Sequence, residues 1–366
     1  MKILHITTHL NLGGIVSYLS SVAIELKRKG YDIIVASSGG HIQDVLSRNS
    51  IKHIHIPLNT KSEISPKVWF SYSILEKYLI DNPVDLIHAH TRVAQVLAAL
   101  LSRKFRIPVV TTCHGFFRPR WHRRKFPCWG NKVIAISNQV KQHLIKDFGV
   151  DERNVVLIHS GIDTQKYKTL GILEKENLKK EIGIKQNHLV VGSAGRFSTV
   201  KGLDYFLKAI PHVLKEHENV TFLLIGYGRD EERLRKISKD LKLGDKLIFY
   251  NPEKDIGYYL GVLDVFIAPS IQEGLGLSIL EAQAQQIPVI ASNVGGIPDI
   301  IDDKVTGVLV EPRDSIALSS AIVRLLYDAR LREYIQKNAY YRVVDQFSLY
   351  KMIKQTEGVY RCFSDR

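Results

Sequence analysis

The sequence predicts an α/β protein built from two doubly wound, Rossmann-like domains. Short apolar, β-branched runs alternate with stretches of helical periodicity, and they do so in two series separated by the polar, charged stretch Asp163–Lys185. Strands that alternate with helices form parallel sheets covered on both faces. A chain of 366 residues is also long for a single core. We therefore expect domains at residues 1–165 and 166–347, followed by a helical segment at 348–366.

The first series supplies the strands of the N-terminal domain. After the first strand comes a stretch with the 3.6-residue period of a helix, with apolar residues at Val16, Leu19, Val22, Ala23 and Leu26. Such a helix can cover one face of the sheet. The strands of this series are expected at Lys2–Thr7, Tyr31–Ala36, Ile51–Ile56, Asp85–Ala89, Pro108–Thr112, Lys132–Ile136 and Val155–Ile158.

The second series repeats this alternation and then becomes entirely helical. Its strands are expected at Leu189–Ala194, Thr221–Ile225, Lys246–Phe249, Asp264–Ala268, Pro288–Ala291 and Val308–Val310. Helices are expected at Ile316–Tyr327, Leu331–Phe347 and Tyr350–Phe363. In such sheets, ligands bind at the carboxyl ends of the strands, so the loops that follow the strands are the places to look for function.

Net charge, the length of apolar runs and the cysteine content indicate the kind of partner and the cellular location to expect. The formal net charge of +14 indicates anionic partners. No apolar run has the length of about 20 residues that a spanning helix needs, and Met1–Ile6 reads as a strand with none of the features of a signal peptide. The three cysteines are too few and too scattered for a disulfide framework. These features favour a cytoplasmic location.

Two glutamates mark the most informative loop. Strand Asp264–Ala268 leads into a glycine-containing turn that carries Glu273, and Glu281 lies about one turn into the following helix. Gly274 and Gly276 let backbone N–H groups approach a ligand, and a helix N-terminus attracts an anion such as a diphosphate. A carboxylate can accept hydrogen bonds from sugar or ribose hydroxyls. This layout is typical of a nucleotide-sugar site.

Two cations follow the first strand of the second domain. Arg196 offers a bidentate fork and Lys201 a mobile point charge, and both groups suit a diphosphate. Gly202 then opens a helix over Leu203–Leu214. A surface turn with two solvated cations is the alternative interpretation. We favour the functional one because these residues follow the carboxyl end of a strand in the same domain as the glutamates.

Two histidines, His90 and His114, lie where the sheet of the N-terminal domain is expected to bind a ligand. His90 and His114 end strands and so face the ligand edge, whereas His53 and His55 lie within a strand. The residues favour a structural role for His90 and a functional one for His114. Histidine, aspartate and cysteine do not cluster at metal-ligand spacing, and no Asp-x-Asp occurs. We therefore predict no metal site.

Residues 116–129 combine cations with aromatic rings. Arg118–Lys125 carries five permanent cations around Trp121, and further aromatic residues flank it at Phe116, Phe117, Phe126 and Trp129. Such a mixture suits an anionic membrane surface. Single-stranded nucleic acid could use the same groups, but no extended basic groove accompanies them, so no nucleic-acid partner is expected. A solvated charged loop is the other alternative.

Arg196, Lys201, Glu273 and Glu281 together resemble the site of the retaining glycosyltransferases of family 4. The resemblance covers nearly the whole chain and implies the GT-B fold, in which two Rossmann-like domains face each other across a cleft. Its remaining motifs are the early Gly13-Gly14 turn and Pro288-Val-Ile-Ala-Ser with Gly295-Gly-Ile-Pro-Asp299. One departure is Asn251-Pro252, where a glycine is commoner in a loop that usually touches the base.

The resemblance also implies roles for individual residues. Arg196 and Lys201 would hold the donor diphosphate, and Glu281 would bind the ribose hydroxyls. Glu273 would reach the donor sugar, and His114 matches a histidine that contacts that sugar near the reacting centre. The catalytic set is thus Glu273, His114, Arg196 and Lys201. Donor contacts are further implied for Gly14, Gly274, Leu275, Gly276 and Leu277.

The function implied is metal-independent, retaining transfer of a hexose from a UDP- or GDP-sugar, with no other cofactor. The acceptor would be a lipid-linked or cell-envelope intermediate of polysaccharide or lipopolysaccharide synthesis, bound by the N-terminal domain. The final helix would pack back on that domain, and the protein would be peripheral on the cytoplasmic face of the inner membrane. Two alternatives stay open: a nucleotide-sugar epimerase or hydrolase on the GT-B scaffold, and a non-catalytic GT-B binding protein.

Overall fold

The computed structural model describes residues 1–11, 13–252 and 256–363. The chain divides into two compact units. Unit 1 comprises Met1–Gly161 and Leu349–Arg366, and unit 2 comprises Ile162–Ser348. Of the predicted features, Leu12 in the early glycine turn and residues 364–366 of the final segment lie outside the described residues.

Unit 1 alternates strands and helices from its first residues and receives its last helix from the end of the chain. Its strands are β1 (Lys2–Ile6), β2 (Asp32–Ser37), β3 (Lys52–His55), β4 (Leu86–Ala89), β5 (Val109–Cys113), β6 (Lys132–Ala135) and β7 (Val155–Leu157). Its helices are α1 (Gly14–Arg28), α2 (Gln43–Arg48), α3 (Pro66–Asp81), α4 (Arg92–Phe105), α5 (Trp121–Lys125) and α6 (Asn138–Phe148), with α15 (Leu349–Arg361) from the end of the chain.

The sheet of unit 1 is parallel, with the order β3-β2-β1-β4-β5-β6-β7. The direction of winding reverses between β1 and β4, and such a switch point is where open α/β sheets bind ligands. Apolar clusters lie on both faces of the sheet. Met352, Ile353 and Tyr360 of α15 are buried in the same cluster as Leu19 of α1. The final helix is therefore part of the core of unit 1.

Unit 2 repeats the alternation with six strands. They are β8 (Leu189–Ala194), β9 (Val220–Ile225), β10 (Leu247–Tyr250), β11 (Val265–Ala268), β12 (Val289–Ser292) and β13 (Val308–Val310). Its helices are α7 (Ile172–Ile182), α8 (Leu203–Glu216), α9 (Glu231–Asp240), α10 (Ile256–Leu260), α11 (Leu277–Ala284), α12 (Ile297–Ile300), α13 (Ser315–Tyr327) and α14 (Ala329–Gln346).

The sheet of unit 2 is also parallel, in the order β10-β9-β8-β11-β12-β13. Its switch point lies between β8 and β11. The strand assignments from the sequence are confirmed, because each predicted strand is present within one or two residues of its expected bounds. Helix α7 lies within Asp163–Lys185, the polar stretch that the sequence suggested as the boundary between the two domains. Its apolar residues Leu178 and Ile182 are buried, so the helix belongs to unit 2. No helix in the described ranges is both long and apolar enough to cross a bilayer.

Candidate active site

The switch point of unit 2 brings the predicted charged residues together. Arg196 lies two residues after the end of β8, and Glu273 lies in the loop that follows β11. Between Arg196 and α8, residues Thr199–Lys201 form a single 3-10 turn that carries Lys201 toward the β11 loop. Two loops from neighbouring parallel strands thus supply the cations and the carboxylate of one site.

Lys201 and Glu273 form an ion pair. Lys201 Nζ lies 2.6 Å from Glu273 Oε2, with the lysine side chain 29% exposed and the glutamate side chain 17% exposed. Ser270 Oγ donates a hydrogen bond to the same carboxylate oxygen at 3.2 Å. The sequence analysis did not single out Ser270, although its position three residues before Glu273 in one turn was the available signal. An ammonium group has three donors, so Lys201 can hold Glu273 and still meet an anion.

Close backbone contacts fix the two loops against each other. Ile271 N–H donates to Val200 O at 2.8 Å. Gly202 has a φ of 62°, and a Cβ built on it would lie 2.0 Å from Pro269 O. A side chain at position 202 would therefore push the lysine turn away from the Glu273 loop.

A second glycine holds the Glu273 loop from the other side. Gly295 follows β12 with a φ of 57°, and a Cβ there would lie 1.9 Å from the carbonyl oxygen of Glu273. The next residue, Gly296, donates its N–H to that same carbonyl at 3.1 Å. The backbone of Glu273 is thus fixed by a contact that only glycine permits.

Arg196 takes no part in the ion pair between Lys201 and Glu273. It is exposed and lines a cavity with Lys201, Ser270 and Ser278. Within the described part of the chain Arg196 forms no ion pair. Its guanidinium is therefore available for an anionic ligand, whereas Lys201 already shares its charge with Glu273.

Glu281 and the helix that carries it lie beside the loop. Helix α11 begins at Leu277 after Gly276, whose φ is 110°. The side chain of Leu275 is buried, so only its backbone can meet a ligand. Glu281 Oε1 accepts a hydrogen bond from Tyr167 Oη at 3.1 Å. Sequence reasoning missed Tyr167, because nothing in the polar stretch around it signals a contact with α11.

Four histidines meet at the switch point of unit 1. His5 lies on β1 and His88 on β4, and these two are direct partners in the β1–β4 register. His90 follows β4 and His114 follows β5. His5 Nδ1 lies 3.0 Å from His90 Nε2, and His90 Nδ1 lies 3.5 Å from His114 Nε2. The structure therefore joins the predicted site residue His114 to His90, which the sequence suggested was structural.

His88 belongs to the cluster but bonds elsewhere. Its Nδ1 lies 2.5 Å from Tyr360 Oη, and its Nε2 lies 2.7 Å from Thr112 Oγ1. One ring nitrogen from each of His5, His88 and His90 lies within 4.8 Å of the corresponding nitrogens of the other two. The parallel register thus brings together histidines that are distant in sequence, which spacing along the chain does not reveal, and the absence of a metal site stays a prediction. The hydrogen bonds just described engage every ring nitrogen of His5, His88 and His90 except His5 Nε2.

All four rings are uncharged. Burial lowers the pKa of His5 and of His114 from 6.5 to about 3 in each case. Burial, reinforced by the neighbouring histidines, lowers the pKa of His88 and of His90 well below 6.5. Each ring therefore carries one N–H and one lone pair at neutral pH.

Gly14, the other predicted ligand contact of unit 1, is the first residue of α1. The helix starts after Gly13, whose carbonyl accepts the N–H groups of Val16 and Ser17 at 3.0 and 2.9 Å. The amide of Gly14 therefore lies in the first turn of a helix, where N–H groups lack partners within the helix.

The basic aromatic segment 116–129 is only partly a free surface. Arg123 Nε lies 2.7 Å from Glu63 Oε1, and Arg92 Nε lies 3.1 Å from the other oxygen of Glu63. Arg124 donates to Asp147 O at 2.7 Å. Trp129 is buried at 5% exposure. Arg123 and Trp129 therefore hold the segment on unit 1 and do not form part of its exposed surface.

Two protein-family models match this chain, and together they cover most of it. The model of the family described as Glycosyltransferase Family 4 matches residues 12–166, and that of Glycosyl transferases group 1 matches residues 174–342. The chain is 26% identical to the UDP-Gal:alpha-D-GlcNAc-diphosphoundecaprenol alpha-1,3-galactosyltransferase of Escherichia coli, over 96% of this chain and 95% of that one.

Solved structures show the same fold. A glycosyltransferase from Rickettsia africae is 26% identical, with a TM-score of 0.87 over 99% of this chain and 98% of that one. The Anabaena protein HepE, crystallised with UDP-glucose, is 23% identical, with a TM-score of 0.87 over 99% of this chain and all of that one. With the two parallel sheets, these likenesses confirm the predicted GT-B fold class.

Proposed function

Because this chain belongs to glycosyltransferase family 4 and is a sugar-transferring enzyme, we propose that it moves a hexose from a UDP-sugar to a lipid-linked glycan acceptor. The observation that carries this proposal is the convergence of Arg196, Lys201 and Glu273 at the switch point of unit 2. The names of two similar proteins suggest the substrates. HepE was solved with UDP-glucose, and the Escherichia coli relative is named for UDP-galactose and a diphosphoundecaprenol acceptor.

The two cations stabilise the leaving group. When the bond between the sugar and the nucleoside diphosphate breaks, negative charge builds up on the diphosphate. Arg196 can bind two of its oxygens through a planar fork, and Lys201 adds a point charge. Charges already in place for the developing anion lower the barrier, because no reorganisation is needed during the reaction. Side-chain cations would fill the role of a metal, so transfer should be metal-independent.

Glu273 and His114 are assigned to the donor sugar. Glu273 is held by Lys201, by Ser270 and by the contact with Gly295, so its carboxylate can accept hydrogen bonds from sugar hydroxyls in a fixed geometry. Glu281 is assigned to the ribose hydroxyls, next to its bond with Tyr167. We propose that transfer retains the anomeric configuration, as the family resemblance implies.

A donor screen tests this proposal. UDP-, GDP- and ADP-sugars should be compared by thermal shift with and without EDTA, followed by transfer assays with polyprenyl diphosphate-linked sugars. We expect a UDP-sugar to give the largest shift, EDTA to leave it unchanged, and the product to keep the donor configuration. A sugar altered or released from the donor alone, without acceptor, would favour the epimerase or hydrolase instead.

We also propose that unit 1 docks on an anionic membrane through a basic aromatic surface. This surface comprises the exposed residues Arg118, Arg120, Trp121, Lys125 and Phe126, together with Ile64, Trp69 and Phe70 at the start of α3. The ion pair of Glu63 with Arg123 places the start of α3 beside α5. Exposed rings next to cations fit the headgroup region of a bilayer.

Vesicle sedimentation tests the docking. Arg118, Arg120 and Lys125 changed together to Ser should weaken binding to phosphatidylglycerol vesicles by about 100-fold, because each basic residue contributes about 1 kcal/mol near such a surface. Lys215, Lys236 and Lys239, exposed in unit 2, serve as the matched control for the loss of three charges. Equal binding by the two triple variants would refute the surface.

A further inference from the structure

Three of the four histidines at the switch point of unit 1 form a hydrogen-bonded row that runs from a buried end to an accessible end. His5, His90 and His114 are connected in sequence, and His90 uses both of its ring nitrogens within the row. His5 and His90 are buried, whereas His114 is partly exposed and forms the accessible end. At the buried end, His5 Nε2 has no hydrogen-bond partner among the residues that the structure describes.

Neutral rings allow only two proton arrangements along such a row. In the first, His5 Nδ1–H donates to His90 Nε2, and His90 Nδ1–H donates to His114 Nε2. In the second, every donor and acceptor is exchanged. The first leaves a lone pair at the buried His5 Nε2, and the second leaves an N–H there. Buried N–H groups without an acceptor are rare in native proteins, so the first arrangement is favoured.

We propose that His5 and His90 are positioning residues that hold His114 in the tautomer with the proton on Nδ1. His114 then offers an N–H donor, and no lone pair, to a substrate. This inference rests on the proposed role of His114 at the donor sugar. A ring nitrogen that carries a proton can donate to a sugar hydroxyl oxygen, but it has no lone pair with which to accept a proton from an attacking hydroxyl group. His114 is thereby assigned to orientation, not to general-base catalysis.

The ring contacts agree with a fixed orientation. Tyr18 packs edge-on against His114, with ring centroids 4.8 Å apart. His5 and His90 are stacked at 5.3 Å with an interplanar angle of 14°. The hydrogen bonds along the row therefore act between rings that packing already holds in place.

Nitrogen-15 NMR of histidine-labelled protein tests the tautomer without any assay of activity. The His114 signals are assigned by their loss in His114→Gln. We expect the Nδ1–H form in the wild type, a mixture of forms in His5→Leu, and a return to the Nδ1–H form in His5→Asn, whose side-chain amide can donate to His90. An Nε2–H form of wild-type His114 would overturn the proposal, whether or not the protein transfers a sugar.

Kinetics test the positioning role. In His5→Leu, kcat should fall about tenfold, the effect of one hydrogen bond lost in the transition state, while the donor KM stays within about twofold. His5→Asn should restore kcat. The control Tyr360→Phe removes a hydroxyl that bonds His88 in the same buried cluster, and kcat should not change. Wild-type kcat in His5→Leu would refute the role of His5, while loss of transfer in Lys201→Ala would still support the proposed function.

Discussion

The switch points of the two units have the same sheet topology, but one carries charged side chains and the other uncharged ones. In unit 2, loops after β8 and β11 present charged, partly exposed side chains that can meet an anion. In unit 1, the corresponding edge at β1 and β4 holds buried histidines that burial keeps uncharged. The parallel sheet therefore determines where a site forms, and the burial of its side chains determines whether that site carries charge.

The two units also fix their functional side chains by different contacts. Glu273 is held by glycine contacts and an ion pair at the surface of unit 2. His114 is held by a hydrogen bond and by ring packing inside unit 1. Removal of such a side chain should therefore lower catalysis in unit 2 without unfolding it, whereas in unit 1 it should also change how the stability depends on pH.

Acid should destabilise unit 1 most strongly. In the unfolded chain each histidine gains its proton near pH 6.5, whereas folded His5 and His114 do so only near pH 3. The unfolded state therefore binds more protons between these values, and stability falls as pH is lowered through them, by about 1.4 kcal/mol per pH unit for each histidine. For His5 and His114 together we expect a loss on the order of 4 kcal/mol between pH 7 and pH 5, and His88 and His90 change the stability in the same direction.

Tryptophan fluorescence during urea unfolding measures this loss in unit 1 alone, because Trp69, Trp121 and Trp129 all lie there. His5→Leu serves as the comparison and should show a pH slope shallower by about 1.4 kcal/mol per pH unit. Identical slopes in the variant and the wild type would show that His5 does not contribute to the acid sensitivity.

Removing a charge should break the site of unit 2 without unfolding it. Lys201→Ala should lower kcat/KM by about 100- to 1000-fold, the usual effect of losing one group that stabilises developing charge. Lys208→Ala, an exposed lysine on α8 of the same unit, is the matched control and should stay within about twofold. If both variants retained full activity, the assignment of Lys201 to the diphosphate would be wrong.

A smaller effect is expected from Gly295→Ala. Any side chain at positive φ costs about 1 kcal/mol, and here a Cβ would also strike the carbonyl of Glu273. Gly244→Ala isolates the first effect, because its φ is 51° and nothing lies within 4 Å of a built Cβ. We expect Gly295→Ala to lose about 1–2 kcal/mol more in denaturant unfolding followed by circular dichroism, and about tenfold in activity. Equal losses of stability in Gly295→Ala and Gly244→Ala would show that the Glu273 loop can move to accommodate the added Cβ.

The site of unit 2 was readable from the sequence because its parts are contiguous. Arg196 and Lys201 lie within one turn, and Glu273 lies in a loop with its own glycines, so strand ends and residue types sufficed. The Lys201–Glu273 pair itself was not predicted. Side-chain pairing across two loops depends on the sheet order, which places β8 next to β11, and a single sequence does not contain that order.

The histidine row could not be read in the same way. His5, His90 and His114 come from three separate strand ends, and spacing along the chain says nothing about the register that joins them. The signal present was a histidine in the first strand and a His-x-His at the end of the fourth. The contacts that Tyr18 of α1 and Tyr360 of α15 make with His114 and His88 are equally absent from the spacing along the chain. The partial enclosure of segment 116–129 was missed for a similar reason, because Glu63 is remote in sequence.

The place of α15 in unit 1 has a consequence for biosynthesis. Tyr360 bonds His88, and Met352 and Ile353 fill the same core as α1, so unit 1 lacks part of its interior until the last helix has been translated. At about 5–20 residues per second, the ribosome needs roughly 10–40 s to add the intervening residues of unit 2. During this interval unit 2 can fold as a continuous segment, whereas unit 1 waits. The segment translated first is therefore the last to be completed.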